Sequence, residues 1–252
     1  MRGKRRLPLL LEAVQSGEVE VEDLADRFGV SPSTIRRDLQ QLATSKAITR
    51  TYGGAVIASV RVEQNLPERE RENRTEKAAI ARAALACLDE EDTLILDGGS
   101  TVAAFGALLT ERRHHVITNN LPLVPVLAPC PGISLTVLGG TVRPGSMSTM
   151  GPLAEASLRR LTADKAFVSA DGFVHHRGLC EAAIEQVALK TLMMEQATEV
   201  FVLMDRSKLG RAGQSTWAPL PGRWTLITDA DATDAQCEQA ASAGARVLRA
   251  AP

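Results

Sequence analysis

The sequence predicts two units of different class: a small winged helix-turn-helix head, followed by a larger α/β domain built on a mostly parallel sheet. Three observations carry this. Three short segments with helical apolar spacing and a hairpin signal fill the first 57 residues. From about residue 76, short β-branched runs alternate with Ala-rich helical stretches. Between the two lies a mixed-charge segment that reads as a linker. The expected division is a head over 1–57, a linker over 58–75 and an α/β domain over 76–252.

The head can be justified element by element. Leu7, Leu10, Leu11 and Val14 recur at helical spacing, and Gly17 stops that run. Glu22–Phe28 repeats the spacing through Leu24, Ala25 and Phe28, and Gly29 turns the chain. Ser31 suits an N-cap and Pro32 a first helical position. The helix that follows, to about Ala43, places Ile35, Leu39 and Leu42 on one face. Ile48–Val56 reads as a hairpin, the wing.

In the larger domain the expected strands are Thr93–Leu96, Val116–Thr118, Leu135–Leu138, Ala166–Ser169, Val200–Met204, Leu226–Thr228 and Arg246–Leu248. Helices fall at Ala78–Leu88, Ala154–Leu161 and Ala183–Ala197. In such a sheet, ligands bind beyond the carboxyl ends of the strands.

Composition narrows the function classes. Apolar residues make up 44% of the chain and aromatics only 3%, so the core must rest on aliphatic side chains and alanine. The net charge is −1. Residues 1–56 hold nine Lys/Arg against seven Asp/Glu, a net +2, and the remainder 20 against 23, a net −3. Attraction to nucleic acid must therefore come from where charges sit. The cysteines Cys87, Cys130, Cys180 and Cys237 are widely spaced, which argues against a zinc site or disulfide framework and fits a reducing cytosol. Glu12 interrupts the apolar run after Leu11, against a leader peptide, and no apolar stretch has membrane-spanning length. A cytoplasmic location is expected, with no metal and no cofactor.

The segment from Ser31 to Leu39 carries the chemistry of the head. Ser31, Ser33 and Thr34 at a helix start suit phosphate oxygens. Arg36 and Arg37 can fork onto guanine, and Gln40 onto adenine. Such a helix enters the major groove N-terminus first, and Arg50 and Tyr52 on the wing would touch the backbone or minor groove. Asp38, acidic on this helix, is expected to bond within the head or orient an arginine. A double-stranded operator is the implied partner.

In the α/β domain, small polar turns follow the strands. Asp97-Gly98-Gly99-Ser100-Thr101 opens a helix after the first strand, with glycines for close backbone approach and hydroxyls for an anion. Thr118 and Asn119, then Gly139, Gly140 and Arg143, then Asp171 and Gly172, then Lys208 follow later strands. Carboxylates beside cations suggest a two-ended ligand. Lys208 and Arg143 would hold a phosphate, while Asp97 or Asp171 accepts sugar hydroxyls. Asp229 reads as a cap, and the pairs His114-His115 and His175-His176 as solvated.

These residues resemble the DeoR family of bacterial transcription regulators. The likeness runs through Arg6, Leu10, Val14, Ser31 and Thr34-Ile-Arg-Arg-Asp-Leu39, and through Tyr52-Gly-Gly-Ala55, where the family usually has His-Gly-Gly-Ala. It continues through Leu96–Thr101, Ile117–Asn119, Leu138–Gly140 with Arg143, Asp164–Phe167, Asp171-Gly172 and Asp205–Gly210. Ser169 stands where members often have Gly, and a Glu-Glu pair before a helical Lys becomes Glu185-Gln186 with Lys190. The resemblance implies a sensor domain similar in fold to sugar-phosphate isomerases and a phosphorylated sugar effector that Lys190 helps to bind. It also implies a repressor of carbohydrate genes acting as a homo-oligomer (dimer or tetramer). The alternative is an isomerase-like enzyme with an accessory DNA-binding head, using Asp97 or Asp171 as a base.

Overall fold

A computed structural model describes residues 3–15, 19–44, 48–50, 54–57 and 65–251. Tyr52 lies outside the described residues, as does the side chain of Arg50.

The head comprises α1 (Gly3–Gln15), β1 (Val19–Glu20), α2 (Val21–Phe28), α3 (Pro32–Thr44), β2 (Ile48–Arg50) and β3 (Gly54–Ile57). Helix α1 begins upstream of Leu7 and contains Pro8, because its buried face (Leu10, Ala13, Val14) outweighs one missing backbone donor. The Ser31 hydroxyl accepts the Thr34 N–H at 3.3 Å, the expected N-cap. Ile35, Leu39 and Leu42 join Leu10, Val14, Val21 and Leu24 in one small core. The wing is a three-stranded antiparallel sheet in the order β1-β3-β2, with Val19 opposite Ala55 and Ile48 opposite Ile57. Strand β1 is two residues long, too short for any periodicity to announce it.

The second unit opens with α4 (Leu66–Arg71) and α5 (Arg74–Leu85). Both arise inside or beside the mixed-charge segment read as linker. There follow β4 (Thr93–Leu96), α6 (Ser100–Gly106), β5 (His114–Thr118), α7 (Val124–Leu127) and β6 (Ile133–Val137). A hairpin of β7 (Thr141–Arg143) and β8 (Ser148–Met150) leads to α8 (Pro152–Leu158) and β9 (Ala163–Val168). Next come β10 (Gly172–Val174), β11 (Gly178–Glu181), α9 (Ile184–Glu195), β12 (Ala197–Leu203) and β13 (Thr216–Ala218). The last elements are β14 (Trp224–Asp229), α10 (Asp234–Ser242) and β15 (Ala245–Ala250).

Seven strands form one parallel sheet in the order β15-β14-β12-β9-β4-β5-β6. Alternate residues feed two cores, as expected for a sheet covered on both faces. Leu94, Leu96, Phe167, Phe201 and Leu203 face α5, α6 and α7. Ile95, Ala166, Val168, Val200 and Val202 face α8, α9 and α10. Three of the five phenylalanines stack on the first face, with Phe167 lying 4.4 Å from Phe105 and 4.8 Å from Phe201 between ring centres.

The chain builds β4, β5 and β6 outward in one direction, then returns to place β9, β12, β14 and β15 on the other side of β4. The direction of winding therefore reverses between β4 and β9, where a crevice opens at the carboxyl ends of parallel strands. The β7–β8 hairpin and a small antiparallel sheet, β10-β11-β13, are additions that turn signals alone had suggested only as loops.

Candidate functional site

The head presents the outer face of α3. Ser31, Ser33, Arg36, Arg37 and Gln40 are exposed and Thr34 is half-buried. The Ser31 hydroxyl lies 2.9 Å from those of Ser33 and Thr34, a cluster at the helix start. Arg36 donates to Glu22 at 3.0 Å, an exposed pair that spans α2 and α3 and that sequence reasoning did not anticipate. Asp38 points inward, where Arg6 donates to it at 2.5 Å, so it braces α1 against α3.

At the reversal point of the sheet, a cavity gathers residues from widely separated parts of the chain. Asp97, Gly98, Gly99 and Ser100 line it from the β4–α6 turn, and Asn119 from the end of β5. Asp171, Lys190 and Lys208 line it as well. Gly99 sits at φ +123°, a backbone position that L side chains resist, and starts α6.

The centre of the cavity is an ion triad. Lys190, on α9, donates to Asp97 and lies 3.1 Å from a carboxylate oxygen of Glu181 at the end of β11. All three side chains are at least nine-tenths buried. Burial pushes the Glu181 carboxyl up to about 7, against the pull of Lys190. Burial by itself would lower the Lys190 ammonium, but Asp97 and Glu181 more than reverse this and raise it. Lys208 donates to the Ala170 carbonyl at 2.8 Å, and burial lowers its pKa despite Asp205 and Asp171 nearby. Asp171 accepts from Gln214 at 3.0 Å. Among the described residues, Asn119 Oδ1 and Ser169 Oγ are buried at the cavity wall without a hydrogen-bond partner.

Six residues expected at this site lie outside the cavity lining. The Thr118 hydroxyl donates to the Leu96 carbonyl at 2.6 Å and ties β5 to β4. Thr101 is buried in the first turn of α6. Gly139 and Gly140 form the turn into β7; at φ +117°, a Cβ on Gly140 would meet the Met150 carbonyl at 2.5 Å. Arg143 is half-buried on β7. Gly172 packs against the Arg211 carbonyl. In their place stand Arg69, Ser146, Ser148, Thr149, Glu181 and Gln186. The run of small polar residues around Gly145, and the glutamate that ends an otherwise apolar strand, were the signals available for part of this set.

Outside the cavity, Asp229 accepts the Arg206 and Asp231 N–H groups at 2.6 and 3.2 Å and so ties two turns together, while Thr233 caps the helix that follows. His114 is buried, against the solvated reading, with Nδ1 3.2 Å from the Asp92 carbonyl.

A winged helix-turn-helix reader joined to a sheet domain with a charged, buried cavity defines a DNA-binding regulator with a sensor domain. Two family models match: a DeoR-like helix-turn-helix domain over residues 6–61 and a DeoR C-terminal sensor domain over 72–230. The chain belongs to the DeoR family of transcription regulators. It is 36% identical to the HTH-type regulator YulB of Bacillus subtilis, over 84% of this chain and 82% of that one. It is 30% identical to the lactose phosphotransferase system repressor of Lactococcus lactis, over 91% and 92% of the two chains. The repressor AccR of Agrobacterium fabrum is 34% identical over 82% and 81%. Ribose 5-phosphate isomerase A of Methanocaldococcus jannaschii matches 54% of this chain and 55% of its own at 20% identity, with a TM-score of 0.40. No helix among the described residues is long and apolar enough to cross a membrane.

Proposed function

We propose that this protein is a cytoplasmic, non-enzymatic repressor of carbohydrate genes that leaves its operator when a phosphorylated sugar fills the sheet cavity. The observation that carries the ligand reading is the cavity's two-sided charge. Lys208 and the N–H groups of Gly99 and Ser100 at the start of α6 suit a phosphate. The Asp97–Lys190–Glu181 triad, with Asn119 and Ser169, suits the donors and acceptors of hydroxyls. The lactose phosphotransferase repressor among the relatives adds a carbohydrate setting. The division into a head over 1–57, a linker and a sensor domain is part of the same reading.

A binding role fits this cavity better than catalysis. Both carboxylates that could serve as an isomerase base already face cations, Asp97 with Lys190 and Asp171 with Arg69. Operator recognition rests on α3 entering a major groove, and pairing of two heads in a homo-oligomer supplies the second half-site. The ligand shifts the balance only as far as its affinities for the DNA-fitting and released states differ.

Footprinting on a duplex selected by the full chain, with and without a panel of sugar phosphates, tests both domains at once. The expected result is loss of protection with one phosphorylated sugar and no chemical turnover of it. Conversion of that sugar to an isomer at enzymatic rates would replace the regulator reading with the enzymatic one.

A further inference from the structure

The element that joins the DNA-binding head to the sheet domain reaches the cavity itself. Helix α4 is only six residues long, but it is firmly placed. Its start carries a reciprocal cap, with the Asn65 side chain accepting the Glu68 N–H at 3.0 Å and the Glu68 carboxylate accepting the Asn65 N–H at 3.1 Å. Its end is held by Lys77, a buried ammonium that donates to the carbonyls of Arg69 and of Glu72, the latter at 2.8 Å. Asn73, in the left-handed conformation at φ +49°, turns the chain into α5 and donates to Asp205 at 2.9 Å.

From this helix Arg69 spans two walls of the cavity. Its guanidinium donates to the Gly145 carbonyl, in the loop between β7 and β8, at 2.9 Å. It also stands 3.6 Å from Asp171, beyond the end of β9. Its side chain is 15% exposed and lines the cavity together with Lys208. The same cation therefore touches the ligand space and belongs to the segment that leads from the head.

The geometry points to Arg69 as a ligand-contacting residue and to α4 as the element through which cavity occupancy is read by the head. This rests on the phosphorylated-sugar reading above and deepens it. A phosphate between Arg69 and Lys208 competes with Asp171 and the Gly145 carbonyl for a planar, five-donor fork. To meet it the guanidinium must leave those acceptors, which breaks the tie that Arg69 makes between α4 and the β7–β8 loop, and α4 is the described helix next in the chain to the head. Lysine in the same place keeps the charge but cannot bridge two acceptors in one plane.

The test uses the full chain and a duplex that it selects from a random library. The probes are D-ribose 5-phosphate, D-fructose 6-phosphate, D-fructose 1-phosphate and sn-glycerol 3-phosphate. Thermal shift gives ligand binding, and fluorescence anisotropy gives release of the duplex. Arg69→Ala, Arg69→Lys and, as control, Arg71→Ala on the exposed side of α4 are compared with wild type. Arg69→Ala should weaken binding of the active probe by about 10- to 100-fold, the scale of a lost charge-assisted bond, while apo protein still binds the duplex. Arg69→Lys should keep much of the thermal shift and release the duplex poorly, and Arg71→Ala should match wild type. If wild type responds to a probe and both Arg69 variants bind it and release DNA like wild type, the inference is overturned while the ligand reading stands. If wild type responds to none of the probes, both fall together.

Discussion

Replacing Lys190 with methionine exposes the electrostatics of the cavity directly. The side chains of Lys190, Asp97 and Glu181 are 3%, 8% and 7% exposed, so the ammonium is the shared counter-charge of two desolvated carboxylates. Removing one member of a buried ion network costs about 3–5 kcal/mol, because the remaining charges lose their partner and stay out of water. Glu181, whose carboxyl burial already pushes up, can escape that cost by taking up a proton. A carboxylate raised in the folded state contributes stability that is present at low pH and is lost as pH rises through the folded pKa. Glu181 already has a folded pKa of about 7 with Lys190 in place. The Lys190→Met deficit should therefore be largest near pH 8 and shrink steadily toward pH 5, and adding Asp97→Asn should recover part of it at pH 8. Urea unfolding followed by tryptophan fluorescence suits the question. Both tryptophans, Trp217 and Trp224, belong to the sheet domain, so the signal ignores the head. A variant as stable as wild type at pH 8, or a deficit independent of pH between 5 and 8, would refute the shared-cation account.

Other outcomes follow from single contacts. Asp38→Ala leaves Arg6 buried without its carboxylate, so the head should lose about 3–5 kcal/mol, seen as faster hydrogen exchange in α1 and α3 and weaker operator binding. Equal exchange in the variant would mean that the pair braces nothing. Arg37→Ala should weaken binding to the selected duplex by about 1–3 kcal/mol, the range of a bidentate base contact. Equal loss on random duplexes would assign Arg37 to phosphates instead. Glu181→Gln should flatten the pH dependence of ligand binding between pH 6 and 8. In wild type, Glu181 ionises across this range and repels an anionic ligand as pH rises, whereas the ligand's own phosphate titrates identically in both proteins. Parallel profiles would show that Glu181 does not face the ligand.

What the sequence revealed was local, and what it hid was long-range. The N-cap of Ser31 and the inward stripe of Ile35, Leu39 and Leu42 lie within one helix, so periodicity finds them. The turn glycines after β4 were equally legible, because a positive φ needs glycine wherever the chain goes next. Thr118 shows the limit: a hydroxyl in the right turn was read as a ligand contact, yet it binds the neighbouring strand's carbonyl 22 positions away. Asp97 and Lys190 are 93 positions apart, and nothing local says that they meet. Arg69 was hidden most thoroughly. It sits in a run of alternating charges that reads as solvated surface, and only the docking of α4 shows that this arginine turns inward. On the head, the exposed pair of Arg36 with Glu22 was likewise hidden, because it joins two helices across 14 positions.

The central claim is that occupancy of the cavity by a phosphorylated sugar releases DNA. Its most direct test is a titration of the full chain, bound to a fluorescent duplex of its own selection, with each sugar phosphate and with the same sugar lacking the phosphate. The account predicts that one phosphorylated sugar lowers the anisotropy to that of free duplex, that its unphosphorylated counterpart does not, and that Lys208→Ala binds the duplex but no longer lets it go. Release by the free sugar at the same concentrations, or full release from Lys208→Ala, would contradict it.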